Sequence, residues 1–342
     1  MPQHLSKSLQ WPGSHNASQG AILGKKTVPK DGVPCYNRVA HPRPYFRISD
    51  YPLRLRPVRA PLLMAAGSPG GYCVSETSLI FLQLSIVALC WLVEHYFPRL
   101  SNRGDSVRRV FSILVVWAAA LGAVAFCQAY LFQPLISWVA PFKIFSFSQL
   151  PIPNAVGFIL SLLLLDLFQY LIHWASHKIS PLWALHSVHH ADTHVTAATG
   201  LLHHPLEMMF SFIVTVCLLI LFGISLQVIV TYSLLSTLHN LLVHANVNIP
   251  ARLDRVLRWF IVTPDMHRTH HSVRPTEGNS NFGQLFPYWD WLFRTYQAKP
   301  STSLAKLKMG LIEPNKGGAF NPLELIVQPF GLNGGTNRRK VK

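Results

Sequence analysis

The sequence predicts an all-α protein: an integral-membrane bundle of four to five helices with a histidine-rich cap on its cytoplasmic side. Three observations predict it. Apolar runs long enough to cross a bilayer recur between residues 78 and 238. Lys and Arg collect on one side of those runs. Thirteen of the 17 histidines fall between 173 and 271, in segments that the charge pattern assigns to that same side.

Composition agrees. Half of the 342 residues are apolar and 13% are charged, against about 25% charged in an ordinary soluble protein. Mean hydropathy is +0.27. The net charge of +16 suits either nucleic acid or the basic face of a membrane protein. No basic-aromatic stretch on a soluble module is found, so nucleic acid is excluded as a partner. The five cysteines, Cys35, Cys73, Cys90, Cys127 and Cys217, are scattered without a CxxC pair. They read as small buried hydrophobes, not as disulfides or thiolate ligands.

The chain divides into a basic, Pro-rich N-terminal extension (1–77), a membrane domain (78–300) and a polar C-terminal tail (301–342). Residues 1–63 hold ten Lys/Arg against two acids and no periodic apolar pattern, which predicts disorder. Stretches 78–97, 110–132 and 155–172 each suit one span. The stretch 208–238 is too long for one, and Gly223 near its centre predicts a tight hairpin of two short spans.

Arg99, Arg103, Arg108 and Arg109 make the loop 98–109 cytoplasmic, whereas 133–154 holds only Lys143. The third span then delivers residue 173 to the cytoplasmic side, and the hairpin returns 239–342 to it. The expected setting is a bacterial inner membrane, or the endoplasmic reticulum in a eukaryote. Basic residues 1–63 would fall on the far side, so translation is expected to start at or near Met64. Peptides from 1–63 in a digest of the native protein would contradict that start.

The histidines fall into sets: His173 and His177; His186, His189 and His190; His203 and His204; His239 and His244; His267, His270 and His271. Residues i, i+3 and i+4 share a helical face, and neutral imidazole is the commonest metal ligand. The pattern HxxHH occurs twice, 81 positions apart. Eight histidines in HxxxH, HxxHH and HxxHH are too many for one ion and suit two. Without thiolates, a zinc finger or iron–sulfur cluster is unsupported. "HWASH" lacks the Glu of a zinc protease. An imidazole-rich open site beside a membrane suits oxygen-activating iron. Asp166, Tyr170, His173 and His177 form one helical stripe. A carboxylate in an apolar run marks function by default, so Asp166 is a candidate to orient a ligand imidazole; the alternative is an interhelical polar contact. Asp192 and Asp265, flanking the HxxHH sets, are similar candidates.

The stretches "DLFQYLIHWASHKISPLWALHSVHHADTHVTAATGLLHHPLE" and "LLVHANVNIP…WFIVTPDMHRTHHSVRPTEGNSNFGQLFPYWDWLFRTY" resemble the fatty acid hydroxylase superfamily, also called the sterol desaturase family. Within it the chain is most similar to bacterial-type sterol desaturase proteins and alkylglycerol monooxygenase. The resemblance covers roughly residues 78–300. It implies a membrane bundle with a cytosolic di-metal cap and O2-dependent hydroxylation, desaturation or ether cleavage of a lipid or sterol. It implies two iron ions, with zinc as a substitute in purified protein. Ligands carry over to His173, His177, His186, His189, His190, His267, His270 and His271. His244 matches the His-Ala-Asn element. His204 matches the His-Pro element as ligand or supporting residue, and His239, with no secure counterpart, stays a further candidate. The family's Phe-Gly-Thr-Tyr reads Phe293-Arg294-Thr295-Tyr296 here, and the Arg two residues before its His-Pro reads Leu202. No fused cytochrome b5 or ferredoxin segment is seen, so electrons are expected from a separate donor protein and its reductase. The rival class is a histidine-rich membrane metal transporter or sensor, but polar residues within the spans are few.

Overall fold

Every apolar run forms helix in the computed structural model, which describes residues 76–100, 107–312 and 320–331. Helix α1 (Glu76–Tyr96) comes first. Helix α2 (Val107–Phe126) continues through a π-helical turn, Cys127–Leu131, into α3 (Phe132–Val139). The wide turn precedes Pro134, which has no N–H to give to the helical ladder. Helix α4 (Asn154–Lys178) is followed by α5 (Ser180–His186), α6 (Pro205–Leu221) and α7 (Leu226–His244). Short helices complete the described chain: α8 (Ala251–Leu257), α9 (Pro264–His270), α10 (Pro275–Gly278), α11 (Tyr288–Leu292) and α12 (Pro322–Val327). Prolines open several of them, notably Pro205 of α6 and Pro264 of α9. A first-turn proline loses no hydrogen bond and presets φ. The described residues contain no strand, only isolated bridges at Pro98–Val247 and Ser272–Met309.

Among the described residues, two helical runs are long and apolar enough to cross a membrane, Val107–Phe142 and Asn154–Lys178. The second expected span thus belongs to a run of 36 residues. The stretch 208–238 breaks at Gly223, as its length requires. Gly223 has φ +54°, and a Cβ there would come within 2.7 Å of Ser146. Its two arms part after the turn, however: α6 packs along α2 and α3, while α7 packs on α1, α4 and α9. They are arms of a splayed hairpin with largely different partners, and α4 touches both.

Buried polar ties fix this arrangement. Glu94 of α1 accepts from the backbone N–H groups of Ala197 (2.8 Å) and Asn246 (2.6 Å). Arg109 of α2 pairs with Asp192, its Nε donating to Oδ1 at 2.9 Å, and also reaches His194 O, Thr196 and Thr199. Both members are buried. Removing one partner of such a pair costs about 3–5 kcal/mol, because the other charge is left uncompensated. One end of α2 thereby clamps the loop 192–199. Among the described residues after 300, α12 packs on the bundle. Leu325 of α12 is buried against Ile113, Val116 and Leu202. Residues 1–75, including Met64, lie outside the described residues.

Helix α11 ends at a left-handed residue. Arg294 has φ +59° at the position where the resembled family carries glycine. A side chain there costs roughly 1 kcal/mol relative to glycine. Arg294 is exposed, so little packing opposes a change. The substitution Arg294→Gly should therefore raise stability by about 1 kcal/mol, read as a higher thermal midpoint in detergent. An unchanged or lower midpoint would contradict a cost set by the backbone.

Candidate metal centre

Nine of the expected histidines meet in two buried groups. His173, His177, His186, His190 and His270 form the first, and His189, His244, His267 and His271 the second. Within each, one ring nitrogen per residue lies within 4.8 Å of all the others. Helix α4 supplies His173 and His177 one turn apart. Each HxxHH then divides. His186 and His190 go to the first group and His189 to the second; His267 and His271 go to the second and His270 to the first. Adjacent residues on a helix point about 100° apart, so neighbouring histidines cannot share one centre while the i, i+4 pair can.

The second nitrogen of most rings is tied to a fixed oxygen. Nδ1–H of His173 donates to Phe282 O (2.9 Å), of His189 to Leu202 O (3.1 Å), of His244 to Asn240 O (2.6 Å) and of His270 to Ser280 O (2.8 Å). His186 Nδ1 donates instead to the Glu207 carboxylate at 2.6 Å. With the proton on Nδ1, Nε2 carries a lone pair. In the second group four Nε2 atoms converge, with neighbouring separations of 2.9–3.2 Å. His189 and His244 cannot donate from Nε2, so these contacts are not satisfied by hydrogen bonds among the rings alone. In the first group Nε2 of His173, His186 and His270 is buried with no hydrogen bond. Lone pairs aimed at a common buried point fit a cation in each group.

The loop carrying Ser280 and Phe282 is itself anchored. Asp290 accepts from Phe282 N and Gly283 N at 2.8 Å and from Thr295 Oγ1 at 2.6 Å. Tyr170 of α4 bonds Thr295 (2.9 Å).

Several expected residues lie elsewhere. Asp166 contacts no imidazole. Its carboxylate accepts from Tyr232 Oη, Leu285 N, Phe286 N and Trp289 Nε1 at 2.8–3.3 Å. It joins α4 to α7 and to the 285–289 segment, the interhelical alternative. Asp192 is taken by Arg109, and Asp265 pairs with Arg99 and Arg268. His204 is the N-cap of α6: Nδ1 accepts from Leu206 N and Nε2 donates to Ile326 O, so both ring nitrogens are spent. His239 Nε2 donates to Val262 O at 2.9 Å, outside both groups.

Glu207 was not singled out from the sequence, and His203 was grouped with His204 without a role. Glu207 also lies 3.4 Å from His203 Nδ1, and the His203 ring stacks on His189 at 4.6 Å. Burial would raise the Glu207 carboxyl, but His186 and His203 outweigh it and hold it well below the usual carboxylate range. The signal was legible as an acid at i+4 from His203, opening an apolar helix.

Burial pushes His189, His190, His267, His270 and His271 well below the ordinary imidazole value, and neighbouring imidazoles push the same way. They are neutral, as ligands must be. An unfolded chain takes up a proton on each near pH 6.5, and the folded metal-free chain does not. Stability is thus retained above that pH and lost as pH falls below it. Chelator-treated protein should melt lower at pH 5.5 than at pH 7.5, by up to about 1.4 kcal/mol per group. A flat midpoint across that range would refute neutral burial.

Comparison with known proteins converges on the same region. Residues 158–295 match the fatty acid hydroxylase family. An ornithine lipid hydroxylase of Rhizobium tropici is 27% identical over 80% of this chain and 83% of its own length. An alkylglycerol monooxygenase of Danio rerio is 28% identical over 54% of this chain, and one of Caenorhabditis elegans 26% over 44%. The matches span 40% and 29% of those two relatives. No solved structure matches significantly. All nine grouped histidines lie within 158–295, so both groups fall inside the region that is similar to the fatty acid hydroxylase family.

Proposed function

We propose that the protein is an integral-membrane di-iron oxygenase that uses dioxygen to hydroxylate or desaturate a lipid or sterol. The observation that carries this reading is the pair of all-imidazole groups, buried side by side at the ends of apolar helices. His173, His177, His186, His190 and His270 would hold one iron, and His189, His244, His267 and His271 the other. A pair of irons there would supply dioxygen activation and oxidation of an unactivated C–H bond. The chain's own part is to keep the rings neutral, to fix each Nε2 through its Nδ1–H bond, and to keep bulk water from the centres by burial. Neutral ligands leave the metal charge uncompensated, which favours a strong oxidant. Zinc in purified protein would not count against iron, since zinc outcompetes ferrous iron at imidazole sites.

Four or five spans with the histidine segments on the cytoplasmic side remain the topology we assign. Apolar helices then lead from the bilayer to the centres, so a lipid chain can enter laterally. We take electrons from a separate donor protein, cytochrome b5, a ferredoxin or similar, with its reductase. The ornithine lipid hydroxylase relative, matched over 83% of its length, favours hydroxylation of a lipid. The alkylglycerol monooxygenase relatives support oxidation of an ether lipid as the second reading. Burial of both groups disfavours the transporter reading, because ions in transit need an open route.

His270→Ala removes an imidazole whose neighbours serve both groups. It should abolish turnover while leaving the protein in the membrane. The measurement is lipid profiling of a deletion strain complemented with wild type or variant, joined to O2 uptake by purified protein. An oxidised lipid restored equally by both would sink the site assignment. No lipid change with wild type would sink the enzymatic reading.

A further inference from the structure

Helix α8 is amphipathic the wrong way round for a water-exposed helix. Its inward side carries a charged pair, Asp254 and Arg258, bonded at 2.6 Å. Arg258 also donates to Ala298 O. Its outward side is apolar: Leu253, Val256 and, in the turn that continues it, Trp259 and Phe260 are each half or more exposed. At 100° per residue, Leu253, Val256 and Phe260 fall within about 60° of one another. Arg252 lies about 40° beyond the Val256 edge of this stripe and Arg255 about 100° beyond it, both exposed and without an ion pair among the described residues. The stripe does not end with the helix. Trp259 meets Trp291 of α11 edge-on at 5.3 Å, and α11 ends in Leu292 and Phe293, also about half or more exposed.

Placement is set by the neighbours. Phe293 stacks on Tyr170 of α4 at 5.3 Å, two turns before the end of that apolar helix. On the other side, Arg99 N donates to Asn246 O and Asn248 N to Phe97 O. The chain entering α8 is therefore paired with the end of α1. Both ends of the apolar stripe lie where apolar helices leave their apolar stretch.

We propose that α8 and the end of α11 form an interfacial anchor. Its apolar stripe is immersed in the cytoplasmic leaflet and Arg252 and Arg255 bind anionic headgroups. This rests on the membrane topology assigned above. A bilayer covers the exposed apolar area, and the two arginines complement an anionic surface. Trp259 takes the headgroup level that tryptophan prefers. Arg255 and Trp259 also line a cleft of about 880 Å³, bounded opposite by Arg99, Tyr296 and Lys299, which gives headgroups room beside the stripe. The anchor would hold α9, and hence His267 and His270, at a fixed depth below the leaflet.

The test is a nitroxide on Val256→Cys in full-length protein, in a background with the native cysteines replaced, reconstituted in vesicles containing phosphatidylglycerol. Accessibility to O2 and to a water-soluble nickel chelate is read by spin-label power saturation. The expected result is high O2 and low nickel accessibility, as at a control label on Ile159→Cys in α4 and opposite to Lys306→Cys. Low accessibility to both reagents would mean a protein partner or second copy covers the stripe and would overturn the proposal. High nickel accessibility would mean water and also overturn it. If Ile159→Cys reads water as well, the membrane reading has failed; if only Val256→Cys does, the anchor alone has. The added pair R252Q/R255Q should make the label shallower in phosphatidylglycerol vesicles and change nothing in pure phosphatidylcholine. An equal depth in both would overturn the headgroup role.

Discussion

Nine imidazole lone pairs aimed at two buried points are the constraint on which the rest depends. Gathering them costs free energy twice. The rings are desolvated, and in the second group the acceptor Nε2 atoms of His189 and His244 face one another at 3.1 Å. A bound cation converts both costs into coordination. Much of the polar architecture can be read as holding that arrangement: Nδ1–H bonds to the carbonyls of Phe282, Leu202, Asn240 and Ser280, and Asp290 beneath the 280–283 loop. Glu94 and Arg109 hold the loops that pass over the helix ends.

Two carboxylates show how similar sequence contexts carry different duties. Asp166 is an acid in an apolar helix, and the reason it stands out is cost. The cost is met by Tyr232, Trp289 and two backbone N–H groups, which bring three segments together. Glu207 stands at the start of an apolar helix, where an acid is unremarkable. Yet among the described residues it is the carboxylate that touches a grouped histidine. Burial and hydrogen-bond partners separate these duties, and neither is written in local composition.

The helices, the break at Gly223 and the histidine sets were legible because they rest on period and length. HxxxH and HxxHH place rings on one face by arithmetic alone. The assortment of rings was not legible. Each HxxHH looked like a unit serving one pocket, but it divides, because the adjacent pair diverges by about 100° and long-range packing decides which neighbour each ring meets. His204 and His239 stand outside both groups for a similar reason: a capping N–H and the Ile326 carbonyl hold His204, and the Val262 carbonyl holds His239 Nε2. Arg294 is the converse case. Its departure from the family's glycine was visible in sequence, and the structure supplies its meaning in a positive φ.

The two groups are not equivalent, and the difference follows from their hydrogen bonds. Four grouped rings give Nδ1–H to a neutral carbonyl. His186 gives its Nδ1–H to a carboxylate, a charge-assisted bond that fixes the ring's orientation. The five-imidazole group therefore differs from the four-imidazole group by one extra ring and by a carboxylate bonded to one of its rings. His203 then connects the two, sharing Glu207 with His186 while stacking on His189. Charge near the centres is thus graded from one group to the other, with a half-buried imidazole at the join. A site built from neutral rings has few other means of distinguishing two otherwise similar groups.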